Sequence, residues 1–319
     1  MNPSRSHLIL AILLPAAALV LAPRESLAWG AEGHMIIALV ADRVLQAQDP
    51  ATQKKVADIL AADKSNTWTK TDIAGEATWA DALREQSPEG RVWTSKWPYV
   101  KFDLAEPDLS KACFGKSVLP ASTPASHGPR EDCVINKIDQ FVKELRDTGV
   151  SAGERLMALQ FLLNYVGDVH DPLHTVEHGD QGGNCVAVLP PGARTPARLG
   201  FYWGDILVAE AEGNNAAKAA EQTVANLSAA DVEKWSRGTP AEWARESYDL
   251  AKAVVYSYPK DAVGSKHVFS VKKGEKDPCG PVAVDRLETG YRDRAVAAVR
   301  EQLAKAGVRL AFLLRQALK

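Results

Sequence analysis

Between Asn164 and Asn184 the chain reads NYVGDVHDPLHTVEHGDQGGN, a concentration of groups able to hold a cation or move a proton. Three of the seven histidines (His170, His174, His178) lie here, with Asp168, Asp171 and Glu177 among the carboxylates. Residues four apart share a helical face, so Asn164 and Asp168 project together if the segment is helical. Pro172 disfavours helical geometry at Asp171, which puts His174 just past a helix end. A carboxylate on the last turn with an imidazole beyond it supplies oxygen and nitrogen, the donors zinc takes. A solvated helix end carrying acidic and imidazole groups is the plain alternative.

The element that must hold these residues begins upstream at Glu154, where ERLMALQFLLNYV repeats apolar residues at helical spacing. Similar periodicity marks HMIIALVADRVL from His34, TQKKVADILAA, CVINKIDQFVKELRD, and a terminal helix expected from about Tyr291 to Leu318. Residues 105–132 are rich in proline without apolar period and read as loop, with His127 solvated. There is no internal repeat, heptad array or glycine-rich nucleotide loop. The expected fold class is all-α, one mostly helical domain over residues 29–319.

Near the N-terminus, Arg5 precedes an apolar run from Leu8 to Ala22 and then Ser26-Leu27-Ala28. This is signal-peptide anatomy with a cut after Ala28; the run is shorter than the ~20 residues a membrane span needs. An uncleaved anchor is the disfavoured alternative, and no later run suits integral membrane association. The formal charge of −2 advertises no basic nucleic-acid-binding surface. Four cysteines, Cys113, Cys133, Cys185 and Cys279, form no CxxC pair. In an exported, hence secreted or periplasmic, chain they suggest two disulfides with three possible pairings. Pairing 113–133 with 185–279 is favoured, the first closing the proline-rich loop.

GDVHDPLH followed by DQGGN resembles the GD-x-x-x-PLH…GGN signature of the secreted S1/P1 nucleases, which are trinuclear zinc phosphodiesterases. The resemblance extends over residues 29–319 and preserves motif order. It implies that a mature N-terminal Trp29 ligates zinc through its amino group and carbonyl, with His34 as the next ligand. In EATWADALR, similar to the family's WAD-x-x-R, it implies Asp81 as a zinc ligand and Arg84 as the group meeting substrate phosphate. Asp168 would bridge two metals, His174 would ligate after PL, and Asn184 would be the phosphate-side amide. An ordinary Asp–Arg surface pair is the alternative for Asp81 and Arg84.

Elsewhere the pattern is broken. Pro98 stands where the family has a zinc-binding histidine, while Tyr99 keeps an aromatic able to stack a base. Lys101 replaces a residue usually Asn or Asp. Asn164 occupies another histidine position, and Gly200 and Gly204 occupy the His and Asp of L-H-x-x-WD. Asp205 comes one residue late, and Asp171 replaces a usual Gln. Asn164, Asp171 and Asp205 are the possible substitute ligands; His170, on another face from Asp168, stands behind the site.

Two functions follow from the resemblance. One is a secreted phosphodiesterase cleaving single-stranded DNA or RNA by a zinc-activated water, with fewer than the family's three zincs and nearer one. It would be a monomer whose partners are single-stranded nucleic acid or nucleotides. The other is a catalytically impaired relative that binds metal, nucleotide or a protein partner.

Overall fold

The hydroxyl of Ser151 accepts the backbone N–H of Glu154, and from that cap a helix runs from Ala152 to Asp168. The structure, a computed structural model, describes residues 29–64, 67–113, 123–124, 126–267 and 277–319. The export segment, with Arg5, Leu8–Ala22 and the cut after Ala28, lies outside the described residues, as does part of the loop 105–132. The first turns of the helix, residues 152–157, are exposed or half-buried. From Ala158 to Asp168 every residue is buried, because neighbours cover it on all sides.

Those neighbours are mostly helices, so the all-α reading holds. The first helix, Ala31–Gln48, and the terminal helix, Thr289–Ala317, lie against one another and against the central one. Gly307 lets the first two approach closely, since a Cβ there would collide with Val40 and come within 3.1 Å of the Ile37 carbonyl. The helix Val134–Arg146 lies along the other side, its Phe141 ring stacked on Phe161 at 5.0 Å. Trp79 and Trp97 meet Phe161 edge-on at 5.3 and 5.7 Å. Fully burying one such ring stabilises by about 1.5–3 kcal/mol, so this aromatic group fixes the central helix firmly. Lys137 is buried against it, its ammonium 3.4 Å from the centroid of Trp97 and 3.7 Å from the Asp132 carboxylate.

Small sheets finish the frame. Strand β1 (Phe102–Asp103) pairs in parallel with β2 (Val176–Glu177), with Phe102 opposite Val176. Strands β3 (Ala187–Leu189), β4 (Ala197–Arg198), β5 (Ala262–His267) and β6 (Pro281–Arg286) form a second sheet in the order β4-β3-β6-β5. Disulfides join Cys113 to Cys133 and Cys185 to Cys279, the favoured pairing. The second ties the chain entering β3 to the chain entering β6.

Two expectations change at their edges. The stretch 105–132 is not all loop: Leu109–Ala112 makes a helical turn because the Asp108 carboxylate accepts the Ser110 N–H. The terminal helix starts at Thr289 and ends at Ala317. Among the described residues no helix is long and apolar enough to cross a membrane.

Glu76 gives a stability prediction. Its carboxylate is fully buried and accepts from the Gln160 amide at 2.8 Å. Burial raises its pKa from 4.5 to about 7, against the opposing Gln160 hydrogen bond. The folded state therefore holds the proton more tightly than the unfolded chain. The resulting stability is fully present below pH ~4.5 and is lost as pH rises through ~7. Glu76→Gln removes that slope. Its unfolding free energy relative to the wild type should rise between pH 5 and pH 8, by an amount on the order of 1–3 kcal/mol. Parallel melting curves at the two pH values would refute this.

Candidate active site

His34 projects from the second turn of the first helix into the core, fully buried, and neither ring nitrogen has a hydrogen-bond partner. Its Nε2 lies 3.5 Å from Asp168 Oδ1 and 3.6 Å from Asp81 Oδ2. The ring fits because Gly167 has no side chain: a Cβ there would sit 2.7 Å from His34 Nδ1. The Gly167 carbonyl accepts the indole N–H of the buried Trp29 at 3.1 Å, which anchors Trp29 to the same turn. Gly30 then donates to the Gly204 carbonyl at 2.9 Å.

Asp81 and Arg84 stand on the short helix Trp79–Gln86, one turn apart and both buried. The amide of Asn164 donates to the Ala77 carbonyl and to Asp81 Oδ2, each at 3.0 Å. Its nitrogen thus fixes the carboxylate, while its oxygen has no hydrogen-bond partner. Arg84 leaves Nε and one terminal nitrogen similarly unpartnered, its guanidinium 5.7 Å from the Tyr99 ring. Burial disfavours the Arg84 charge, but Tyr99 and Asp81 more than offset this and raise its pKa. The Asp168 pKa also rises, which for a carboxylate disfavours the charge: burial, then the nearby Asp81, push it well up, with Arg84 opposing.

His174 belongs to a 3₁₀ turn, Pro172–His174, that the Asp171 carboxylate caps by accepting the Leu173 N–H at 2.8 Å. The β1–β2 pairing extends through Val100 N–H to the His174 carbonyl, at 3.0 Å, and lays residues 98–102 beside this turn. The Pro98 carbonyl consequently receives His174 Nδ1 at 3.0 Å. That contact places the proton on Nδ1 and leaves Nε2 as the lone-pair nitrogen. Tyr99 covers the imidazole, ring centroids 4.3 Å apart. Burial lowers the pKa values of His34 and His174, so both rings are held neutral, the form that binds metal.

His174 shares a small cavity with Tyr99, Asp171, Asn184 and Gly200. Gln181, Gly182 and Gly183 all have positive φ, and this left-handed curl brings Asn184 to the cavity wall. Asp180 holds the curl by accepting from the Gly183 N–H at 3.1 Å and the Tyr256 hydroxyl at 2.7 Å.

The donors fit a divalent cation in part. Among the described residues no group of three or more His, Cys, Asp or Glu side chains is assembled closely enough to hold an ion as it stands. The contacts around His34 are nevertheless only slightly wider than the ~3.3 Å edge of a tetrahedron with ~2.0–2.1 Å bonds. His34 Nε2 and Asp168 Oδ1, both buried and unpartnered, are atoms that such an ion would satisfy. Around His174, by contrast, Gly200 contributes no donor, and Asp171 already caps its own turn.

Of the residues expected at the site, the structure brings together His34, Asp81, Asn164, Asp168 and His174, with Arg84 and Tyr99 beside them. Asp205 goes elsewhere. Residues Tyr202–Ile206 form a π-turn, and Asp205 lines a separate cavity with Gly30, Glu32 and Gly204. His170 turns away from Asp168, bonding the Val166 carbonyl at 2.7 Å and the Arg309 guanidinium at 3.0 Å. Sequence reasoning passed over Asp180, although it directly precedes QGGN, and over Arg198, whose guanidinium meets Asn184 Oδ1 at 3.4 Å.

The family model for the S1/P1 nucleases matches residues 29–319. Nuclease S1 of Aspergillus oryzae is 27% identical over 300 residues, covering 94% of this chain and 95% of its own. Endonuclease 1 of Arabidopsis thaliana is 24% identical, over 90% of this chain and 86% of its own. Nuclease P1 of Penicillium citrinum is 23% identical, over 89% and 95%. The buried His34–Asp81–Asp168 cluster, the Arg84 beside it and the curled GGN loop thus belong to a member of the S1/P1 nuclease family.

Proposed function

We propose that residues 29–319 form one exported, metal-dependent phosphodiesterase domain acting on single-stranded nucleic acid, with fewer than three zinc ions. The observation that carries this reading is the set of buried, unpartnered atoms on His34 and Asp168 facing each other at 3.5 Å. Isolated buried polar atoms cost stability, and a cation there turns that cost into binding. Trp29, His34 and Asp168 would hold it, with the Trp29 amino group freed by cleavage after Ala28. Paired cysteines accord with an oxidising compartment.

Zinc so bound supplies positive charge for the phosphate and makes water acidic enough to attack at neutral pH. The protein's own residues do the rest. Asp81, fixed by the Asn164 amide, orients the attacking water and takes its proton. Arg84 points unsatisfied N–H groups at the phosphate oxygens as their charge grows; losing such a donor typically costs ~10²–10³ in rate. Asn184 binds on the phosphate side, and Tyr99 offers a face to a base, worth ~1–3 kcal/mol.

A second reading, a relative that binds metal, nucleotide or a protein partner without cleaving, has one observation in its favour. Pro98, Gly200 and Gly204 present no side-chain donor, and Asn164 spends its amide on Asp81.

Four outcomes test the first reading. N-terminal sequencing of exported protein should give Trp29 as the first residue; another start, or an acylated Trp29, removes the best-supplied metal position. Elemental analysis should find about one zinc per chain, since a stable site wants at least three protein donors. Asp168→Asn and His34→Ala should abolish both the zinc and the cleavage of single-stranded DNA and RNA. Three tightly held zincs would overturn the donor count, and metal without cleavage of any phosphoester would favour the binding protein. Finally, Gly167→Ala should drive its methyl against His34 and lower zinc content while the disulfides and helicity persist; unchanged zinc would remove His34 from the site.

A further inference from the structure

The turn that carries Gly200 into the active cavity carries two other side chains outward. Arg198 is the N-cap of the helical turn Leu199–Phe201, so Arg198 and Phe201, three residues apart, lie on one side of it. Arg198 reaches Asn184 Oδ1 at 3.4 Å, at the cavity wall. It also lines an adjoining groove with Ala187, Pro196, Ala197 and Lys266. Lys266, on β5, stretches over that groove to within 3.5 Å of the Pro196 carbonyl. Among the described residues it forms no ion pair. Phe201 is 43% exposed, although the next two residues, Tyr202 and Trp203, are fully buried.

An exposed phenylalanine alone means little, because folded proteins carry many apolar atoms on their surfaces. Its position gives it meaning. An aromatic ring one helical turn from Arg198, which lines a groove with a second cation, supplies the two parts that bind single strands without sequence readout: bases stack and phosphates lie along the charge. The chain as a whole is slightly acidic, so a local cationic groove next to the cavity is not a by-product of composition.

We propose that Phe201, Arg198 and Lys266 form a strand-binding extension of the active cavity. It takes the nucleotide next to the one whose phosphate reaches Asn184. The base of that nucleotide stacks on Phe201, and its phosphate lies between Arg198 and Lys266. The proposal rests on the reading of the cavity as a nuclease site. It implies a preference for oligonucleotides over mononucleotides that the cavity alone would not supply.

The test is binding of a fluorescein-labelled oligothymidylate and of thymidine monophosphate to the zinc-loaded mature protein, wild type against Phe201→Ala and Lys266→Gln. Both side chains are exposed, so the variants should melt with the wild type. Phe201→Ala should weaken oligothymidylate binding by about tenfold or more, and well beyond any loss for the mononucleotide. Lys266→Gln should also flatten the salt dependence of oligonucleotide affinity by about 0.7 in log–log slope. If the wild type binds both ligands and the variants bind oligothymidylate equally well, the extension is wrong and the nuclease reading stands. Equal losses for both ligands also overturn it, because the side chains would then serve the cavity itself. If the wild type binds neither ligand, both readings fall.

Discussion

Two carboxylates and a guanidinium, Asp81, Asp168 and Arg84, are taken out of water at one place in the core. An isolated buried charge is too costly to keep, so such groups must be paired, hydrogen-bonded, neutralised or bound to a cation. Here pairing is incomplete. Asn164 serves one oxygen of Asp81, Asp168 Oδ1 has no partner, and burial drives the Asp168 pKa well up. The surroundings are built to keep this arrangement in place. Gly167 makes room for His34, its carbonyl holds the Trp29 indole, and Trp79, at the start of the Asp81 helix, rests on Phe161. A rigid core around unsatisfied polar atoms is what a preorganised site requires.

The second half of the site depends on a backbone ladder. Parallel pairing of β1 with β2 sets residues 98–102 against 174–176, so the Pro98 carbonyl, Tyr99 and His174 have fixed relations. A proline can do this because carbonyl acceptance needs no side chain. Pro98 has no side-chain donor, yet its carbonyl orients the imidazole, and the proton on Nδ1 leaves Nε2 available. Tyr99 has the Lys101 ammonium 4.7 Å and the Arg84 guanidinium 5.7 Å from its ring centroid, so two cations help fix the ring that covers His174.

Much of this is legible in the sequence. Helical spacing in ERLMALQFLLNYV and the break at Pro172 locate the central helix and the turn bearing His174, and the four cysteines imply two disulfides whose favoured pairing, one of three, is the one formed. The WAD and GGN motifs pointed to residues that the fold does assemble. What stayed hidden were relations between distant segments. Full burial of Ala158–Asp168 depends on helices from both chain ends, which periodicity within one segment does not record. The four-stranded sheet joins short strands with almost a hundred residues between β3 and β6, and its edge strand β5 is wholly exposed. Asn164 looked like a weak ligand because its position is all that sequence supplies. The direction of its amide, toward Asp81 and Ala77, is a tertiary fact.

Asp205 shows how backbone geometry decides between two chemistries. In an unbroken α-helix a displacement of one residue rotates a side chain by ~100°. Tyr202–Ile206 instead forms a π-turn, whose extra residue changes where each following side chain emerges. Asp205 emerges against Gly30, close enough that any side chain there would collide with its carboxylate. Gly30 is the N-cap of the 18-residue first helix, and the N-terminal end of a helix attracts negative charge. Gly204 contributes its carbonyl to the same place by accepting the Gly30 N–H. Both residues of the displaced pair therefore serve the start of the first helix. Neither lines the His174 cavity, whose wall at Gly200 is bare backbone. Gly200 supplies no donor to that cavity because it has no side chain, while the π-turn that follows it directs Asp205 to the start of the first helix.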